Sequence, residues 1–111
     1  MTDIRDPQLR VSRHAIRGRT VIIPVGEIDL ATRDTLRSCL AECEGDVIVD
    51  LFGVSYLDSS GIGVLIAQRN RLTGQGGTLT LRSPRAPVRN VLELVGIDLL
   101  GADGSSGASA A

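Results

Sequence analysis

The sequence has 111 residues, 42% of them in the AVILMFWYC set and 23% charged, a composition that fits one small globular domain and excludes a multidomain enzyme. A formal net charge of −1, with no Trp, one Phe and one Tyr, supplies neither the field that draws proteins to phosphate backbones or anionic lipid nor the aromatic platforms on which single-stranded bases stack. All twelve basic residues are Arg, which removes Schiff-base, Walker-lysine and lysine general-base chemistry, and a lone His14 without a G-x-S-x-G elbow is a thin basis for a serine triad.

Residues 1–8 form an N-terminal segment without an apolar signal region, and no uncharged apolar stretch approaches ~18 residues, so neither secretion nor a membrane is expected. The domain is expected over residues 9–100. Leu9 to His14 alternates apolar and polar side chains, Arg17-Gly18-Arg19 reads as a turn, and Thr20 to Val25 is a β-branched run, so the two segments predict a hairpin. Pro24 offers no ladder donor, which places the second strand at an edge or gives it a bulge there. From Thr32 to about Glu44, Leu36, Cys39, Leu40 and Cys43 recur at i, i+3, i+4 and i+7, an amphipathic helix ended by Gly45. Its two cysteines are too few for a disulfide framework or a four-thiolate zinc site; they read as small buried hydrophobes in a reducing cytoplasm. Asp46 to Leu51 is a short, nearly continuous apolar run, the pattern of a central strand covered on both faces.

A second helix starts near Ser59 or Ser60, both suitable N-caps, and runs to about Thr73 with Gly74 at C′. Gly74-Gln75-Gly76-Gly77 follows that helix and has no Lys, so it predicts a helix-terminating turn and not a phosphate loop. Thr78 to Arg82 alternates as a half-buried strand. Ser83-Pro84-Arg85-Ala86-Pro87 opens a third helix with Val88, Val91, Leu92 and Val95 on one stripe and Gly96 at its end. Ile97 to Leu100 adds a short last strand, and residues 101–111 are a Gly/Ser/Ala tail too small and polar to bury anything, expected to be disordered. The fold class is α/β: a mixed β-sheet of four to five strands with helices packed largely on one face, in the order β-β-α-β-α-β-α with a short last strand. Functional residues of open α/β sheets collect beyond the carboxyl ends of strands, which directs attention to the loops after Val25 and Leu51.

Asp58-Ser59-Ser60-Gly61 heads the second helix, where orphan N–H groups and the positive end of the dipole favour an anion. It reads either as an ordinary N-cap or as a serine whose phosphate would be stabilised there. On a helical wheel Ile62, Leu65, Ile66 and Leu72 face the core, leaving Ser60, Val64, Ala67 and Arg71 as a small, largely apolar outward face that suits protein docking. Gly61 and Gly63 lower helix propensity, for a tight fit either against the domain's own sheet or against a partner. Glu27 and Asp29 flank Ile28 at a strand end, as acids able to do acid/base work or bind Mg²⁺, or as a solvated turn in which Asp29 helps to cap the next helix.

The Gly-Glu-Ile-Asp at 26–29, Val-Asp-Leu at 49–51, Asp-Ser-Ser-Gly-Ile-Gly-Val at 58–64 and Val-Leu-Glu-Leu-Val-Gly-Ile at 91–97 together resemble a STAS domain of the anti-sigma factor antagonist family, over roughly Leu9 to Leu100. The resemblance implies a STAS-like single domain that is not an enzyme but the substrate of one. Such a domain binds an anti-sigma factor with a GHKL-type serine kinase fold and frees the sigma factor. It is silenced when that kinase phosphorylates the Ser directly after Asp, here Ser59, with Ser60 as its neighbour. Asp29 and Asp58 match the family's acidic residues beside the site, ATP and Mg²⁺ belong to the partner, and a serine phosphatase would reset the switch; no cofactor or metal of its own is implied. With the outward helix face added, the expected partner surface is Glu27, Asp29, Asp58, Ser59, Ser60, Gly61, Gly63, Val64, Ala67 and Arg71. One departure is that family members usually continue into a final helix, whereas this chain turns to Gly, Ser and Ala after Leu100. The alternatives are a scaffold or sensor STAS module binding a small molecule or nucleotide, and a small hydrolase using Asp29, Asp58 and a nucleophilic Ser59. The hydrolase lacks a nearby His or Lys to activate that serine.

Overall fold

The computed structural model describes residues 2–6 by their backbone and residues 8–96 in full. Strands β1 (Thr2–Asp6), β2 (Leu9–Ile16) and β3 (Arg19–Ile28) form an antiparallel meander. Between β2 and β3 stands a two-residue loop: Arg17 and Gly18 have φ of 54° and 78°, the left-handed pair that a tight hairpin needs to match strand twist. The chain then alternates through α1 (Arg33–Ala41), β4 (Asp46–Asp50), β5 (Val54–Leu57), α2 (Ser59–Gly74), β6 (Thr78–Arg82) and α3 (Ala86–Val95). β4 pairs parallel with β3 at Thr20 to Ile22, β5 pairs parallel with it at Gly26 to Ile28, and β6 pairs parallel with β4. The sheet runs β1-β2-β3-β4-β6, with β4 and β5 end to end along one side of β3. This is the predicted mixed sheet with three helices, enlarged by two strands. β1 falls within the N-terminal segment, and β5 escaped notice because its four residues do not alternate: Val54 and Leu57 are buried, Ser55 and Tyr56 exposed.

β3 lies inside the sheet and not at its edge, which corrects the expectation from Pro24. The Gly26 N–H donates to Gly53 O at 3.0 Å, so two residues earlier the N–H that Pro24 lacks faces the same side. There the pairing with β4 has ended at Ile22 and that with β5 begins only at Gly26, so no ladder donor is called for. The irregularity comes two residues later, as a register shift between Gly26 and Glu27.

Leu9 and Val11 of β2, Ile22 of β3, Val47 and Val49 of β4, and Leu79 and Leu81 of β6 project to one face and are at most 3% exposed. Each such burial contributes about 1.5–3 kcal/mol. α1 and α2 cover this face, and α3 packs beside β5, adding Val88 and Leu92 to the same cluster. β4 is central, as predicted, but among the described residues its other face carries no helix, and Ile48 there is only half-buried. The cause is topological. The right-handed crossovers from β3 to β4 and from β5 to β6 advance in the same direction, so both helices land on one side.

Helix ends depart slightly from expectation. α1 stops at Ala41, and Gly45 (φ 75°) serves the turn into β4. α2 includes Gly74, and the left-handed residue that ends it is Gly76 (φ 87°). α3 has Pro87 in its first turn and left-handed Gly96 after it, as predicted, but Val95 is 51% exposed and leaves the buried stripe. The expected last strand at 97–100 and the tail at 101–111 lie outside the described residues.

Cys39 and Cys43 are free and buried, and burial, reinforced by the neighbouring Cys43, pushes the Cys39 thiol up to about 11. A thiol raised on folding adds stability that is intact below the ordinary value of 9.0 and is lost as pH rises toward about 11. Denaturant midpoints measured from about pH 8 to about pH 11 should therefore fall less steeply in a Cys39→Ala/Cys43→Ala variant than in the wild type. The native thiols should also react slowly with alkylating reagents, at the unfolding-limited rate.

Candidate functional site

β3 and β5 run parallel and end side by side at Ile28 and Leu57, so the chain segments leaving them meet at the carboxyl edge of the sheet. A hydrogen bond from Asp58 N–H to Ile28 O (3.2 Å) ties the two together. Asp58 caps α2. Its backbone is extended (φ −113°, ψ −175°), and its Oδ1 accepts the N–H groups of Ser60 (3.0 Å) and Gly61 (3.3 Å) and the hydroxyl of Ser60 (2.6 Å). The sequence offered Ser59 or Ser60 for this place. A carboxylate wins it because one ionised oxygen takes several first-turn donors with charge-assisted bonds. The Ser60 hydroxyl, then the Gly61 and Ser60 N–H groups and the field of Arg33, hold the Asp58 carboxyl below its usual range, against partial desolvation.

Asp58→Ala should therefore lower stability by about 1 kcal/mol at neutral pH. Since folding depresses this carboxyl, its contribution is present above the ordinary value of 3.8 and is lost as pH falls through the lower folded value. Urea unfolding of both proteins at about pH 7 and about pH 3 checks this, and the gap between them should narrow in acid.

The two serines differ sharply. Ser60 is half-buried with its hydroxyl committed to Asp58, while Ser59 is exposed and its hydroxyl has no hydrogen bond among the described residues. The two glycines differ as well. A Cβ on Gly61 would stand 2.5 Å from Ile28 Cγ2 and 2.6 Å from Leu57 Cδ1, so this glycine lets α2 start directly on the ends of β3 and β5. A Cβ on Gly63 would meet nothing within 4 Å. Of the pair, only Gly63 is left open to another molecule.

The wheel's outward face is corrected in two places. Val64 is 7% exposed and belongs to the core cluster. Arg71 turns inward, donating to the carbonyls of Leu40 (2.9 Å) and Cys43 (3.0 Å) at the end of α1 and to Gln68 Oε1 (2.9 Å). Both follow from α1 lying against a second side of α2, which a wheel drawn for one buried face omits. What stays exposed on α2 near the site is Ser59, Gly63 and Ala67.

Across an open groove of about 570 Å³, these residues and Val64 face Arg33, Asp34 and Arg37 of α1. Arg37 pairs with Asp34 at 2.8 Å, whereas the Arg33 guanidinium has no hydrogen bond or ion pair among the described residues. Sequence reasoning missed these three. Arg33 and Arg37 do share a face at i, i+4, but only the packing of α1 on α2 turns that face toward Ser59.

Of the acids near Ile28, Asp29 acts as the predicted turn residue: its Oδ1 accepts the N–H groups of Ala31 (2.9 Å) and Thr32 (3.1 Å). The buried Thr32 hydroxyl accepts from Asp29 N–H (3.0 Å) and donates to Glu27 O (2.7 Å), locking the strand end to α1 while the Glu27 side chain stays in solvent. Among the described residues no group of three His, Cys, Asp or Glu is placed to hold a metal ion. His14 sits away on β2, its Nε2 3.1 Å from Ser12 Oγ. The groove's acid, Asp34, is engaged by Arg37, and the neighbouring Asp58 is engaged in capping. Ser59 thus has an accessible hydroxyl and no base of its own, which suits an acceptor of a group that another molecule delivers.

The family model described as STAS domain matches residues 7–101. The anti-sigma F factor antagonist of Paenibacillus polymyxa is 27% identical over 96 residues, 81% of this chain and 80% of that protein. The crystal structure of an anti-sigma factor antagonist from Mycobacterium paratuberculosis superposes with a TM-score of 0.69 at 26% identity, covering 82% of this chain and 81% of that one. The Bacillus cell fate determinant SpoIIAA in its phosphorylated form shares the fold, with a TM-score of 0.63 at 23% identity over 78% and 83% of the two chains.

Proposed function

This chain belongs to the STAS domain family, and on that premise we propose that it is an anti-sigma factor antagonist whose switch is the hydroxyl of Ser59. In this reading it binds an anti-sigma factor through the exposed head of α2, with Ser59, Gly63 and Ala67 at the contact and the acidic Glu27, Asp29 and Asp58 beside it. Capture of the anti-sigma factor releases the sigma factor. The partner carries the GHKL-type kinase fold, ATP and Mg²⁺, so this chain is a substrate and does no chemistry of its own. Among the described residues no helix is long and apolar enough to cross a membrane, and we place the exchange in the cytoplasm.

The observation that carries this reading is the contrast between the two serines: one hydroxyl held by a carboxylate, the other exposed and without a hydrogen bond among the described residues. In the transfer, Ser59 Oγ attacks the γ-phosphorus of the partner's ATP, the bond from that phosphorus to the β–γ bridging oxygen breaks, ADP leaves, and the hydroxyl proton passes to a base on the partner. A serine phosphatase reverses the change by hydrolysing the phosphoester to serine and inorganic phosphate. The test is incubation with anti-sigma factors of this kinase class and Mg·ATP, followed by intact-mass analysis and peptide mapping. One phosphoryl group on Ser59 is the expected product; phosphate mapped mainly to Ser60, or hydrolytic activity of this chain alone, counts against the proposal.

A further inference from the structure

We propose that Arg33 is the internal receptor for a phosphate on Ser59, closing the groove between α1 and α2 once the serine is modified; this rests on the reading of Ser59 as the modified residue. A helix head ordinarily meets an anion with its own N–H groups. Here three of those donors are taken, leaving only the N–H of Ser59 itself: Ser60 and Gly61 donate to Asp58 Oδ1, and Ile62 N–H donates to Asp58 O at 3.0 Å. The phosphate also arrives next to an ionised Asp58, so it needs a cation from elsewhere.

The charged side chains facing it across the groove are Arg33, Asp34 and Arg37, with Asp58 on its own side. Arg37 is neutralised by Asp34. Arg33 is uncommitted, and its field already reaches the carboxyls of Asp58 and Asp34. A guanidinium presents paired N–H donors that match two phosphate oxygens at once, whereas a point charge does not. The bridge from Arg33 to the phosphate spans the groove at the heads of α1 and α2, of which Arg33 and Ser59 are the first residues.

The test needs no kinase: phosphoserine is installed at position 59 during translation, and the second ionisation of the phosphate is followed by ³¹P NMR. An isolated phosphoserine has its second pKa near about 6. In the wild-type background the value should lie below that of an Arg33→Gln variant by roughly half a unit at low salt, and the difference should shrink as salt is added. Arg37→Gln should move it by much less. A general phosphatase should remove the group several-fold faster from Arg33→Gln than from wild type. Equal pKa values in wild type and Arg33→Gln, or a shift that follows Arg37 instead, overturn the role of Arg33. Failure of the kinase to modify Ser59 overturns the functional reading and leaves this titration to be judged by itself.

Discussion

A chain phosphorylated stoichiometrically at Ser59 is expected to bind its anti-sigma factor at least a hundredfold more weakly than the unmodified chain. The modification adds about −1.5 to −2 charge and three acceptor oxygens to a contact shaped for a hydroxyl. Asp58 beside it is held ionised, and Asp29 and Glu27 stand at the same edge of the sheet, so the added charge enters an acidic surface on which Arg33 offsets only one unit of it. The charge left over, desolvated between two proteins, weakens them by ~3 kcal/mol, which is more than two decades in Kd. The fold is not at stake, because Ser59 is exposed and its hydroxyl has no hydrogen bond among the described residues. Ser59→Ala should therefore unfold within about 0.5 kcal/mol of wild type, accept no phosphate and bind constitutively. Ser59→Asp should remain folded and bind poorly. Titration calorimetry of the four forms against one anti-sigma factor measures this, and an unchanged Kd for the phosphorylated chain would remove the switch.

Val64→Glu is expected to lower folding stability by at least ~3 kcal/mol, since it places a carboxylate in the core cluster at a position only 7% exposed, where most of its hydration is lost. Ala67→Glu, one turn nearly complete further along α2, is exposed and should change stability by no more than about 0.5 kcal/mol. Its effect should appear instead in partner binding, because it sets a charge on the open surface beside Ser59. A helical wheel puts the two residues on one outward face and expects equal behaviour from them. Equilibrium urea unfolding separates the cases: a Val64→Glu chain as stable as wild type would mean that α1 does not cover that side of α2.

Much of the architecture was legible from local pattern. Period 2 in β2 and β6, period 3.6 in α1 and α3, and the turn residues Gly18 and Gly96 each report a conformation that neighbouring residues along the chain impose. Burial of Cys39 and Cys43 follows from the same stripe. The serine motif was legible too, because a helix head is a feature of local sequence.

What a side chain meets across space is not written in its neighbours along the chain. Pro24 called for an edge strand or a bulge at that point, and the gap between β4 and β5 made it acceptable inside the sheet. Gly61 and Gly63 are indistinguishable as letters, yet one receives Ile28 and Leu57 and the other faces solvent. Val64 and Arg71 turned inward because α2 has two neighbours, the sheet and α1, and small or amphipathic residues carry no mark of how many faces of their helix are covered. Composition and spacing by themselves determined the elements other than β1 and β5, the motif and its acidic surroundings. The exposure of Ser59 and the placing of Arg33 opposite it were decided by tertiary packing, since charges act over a few ångströms of space whatever their separation in sequence.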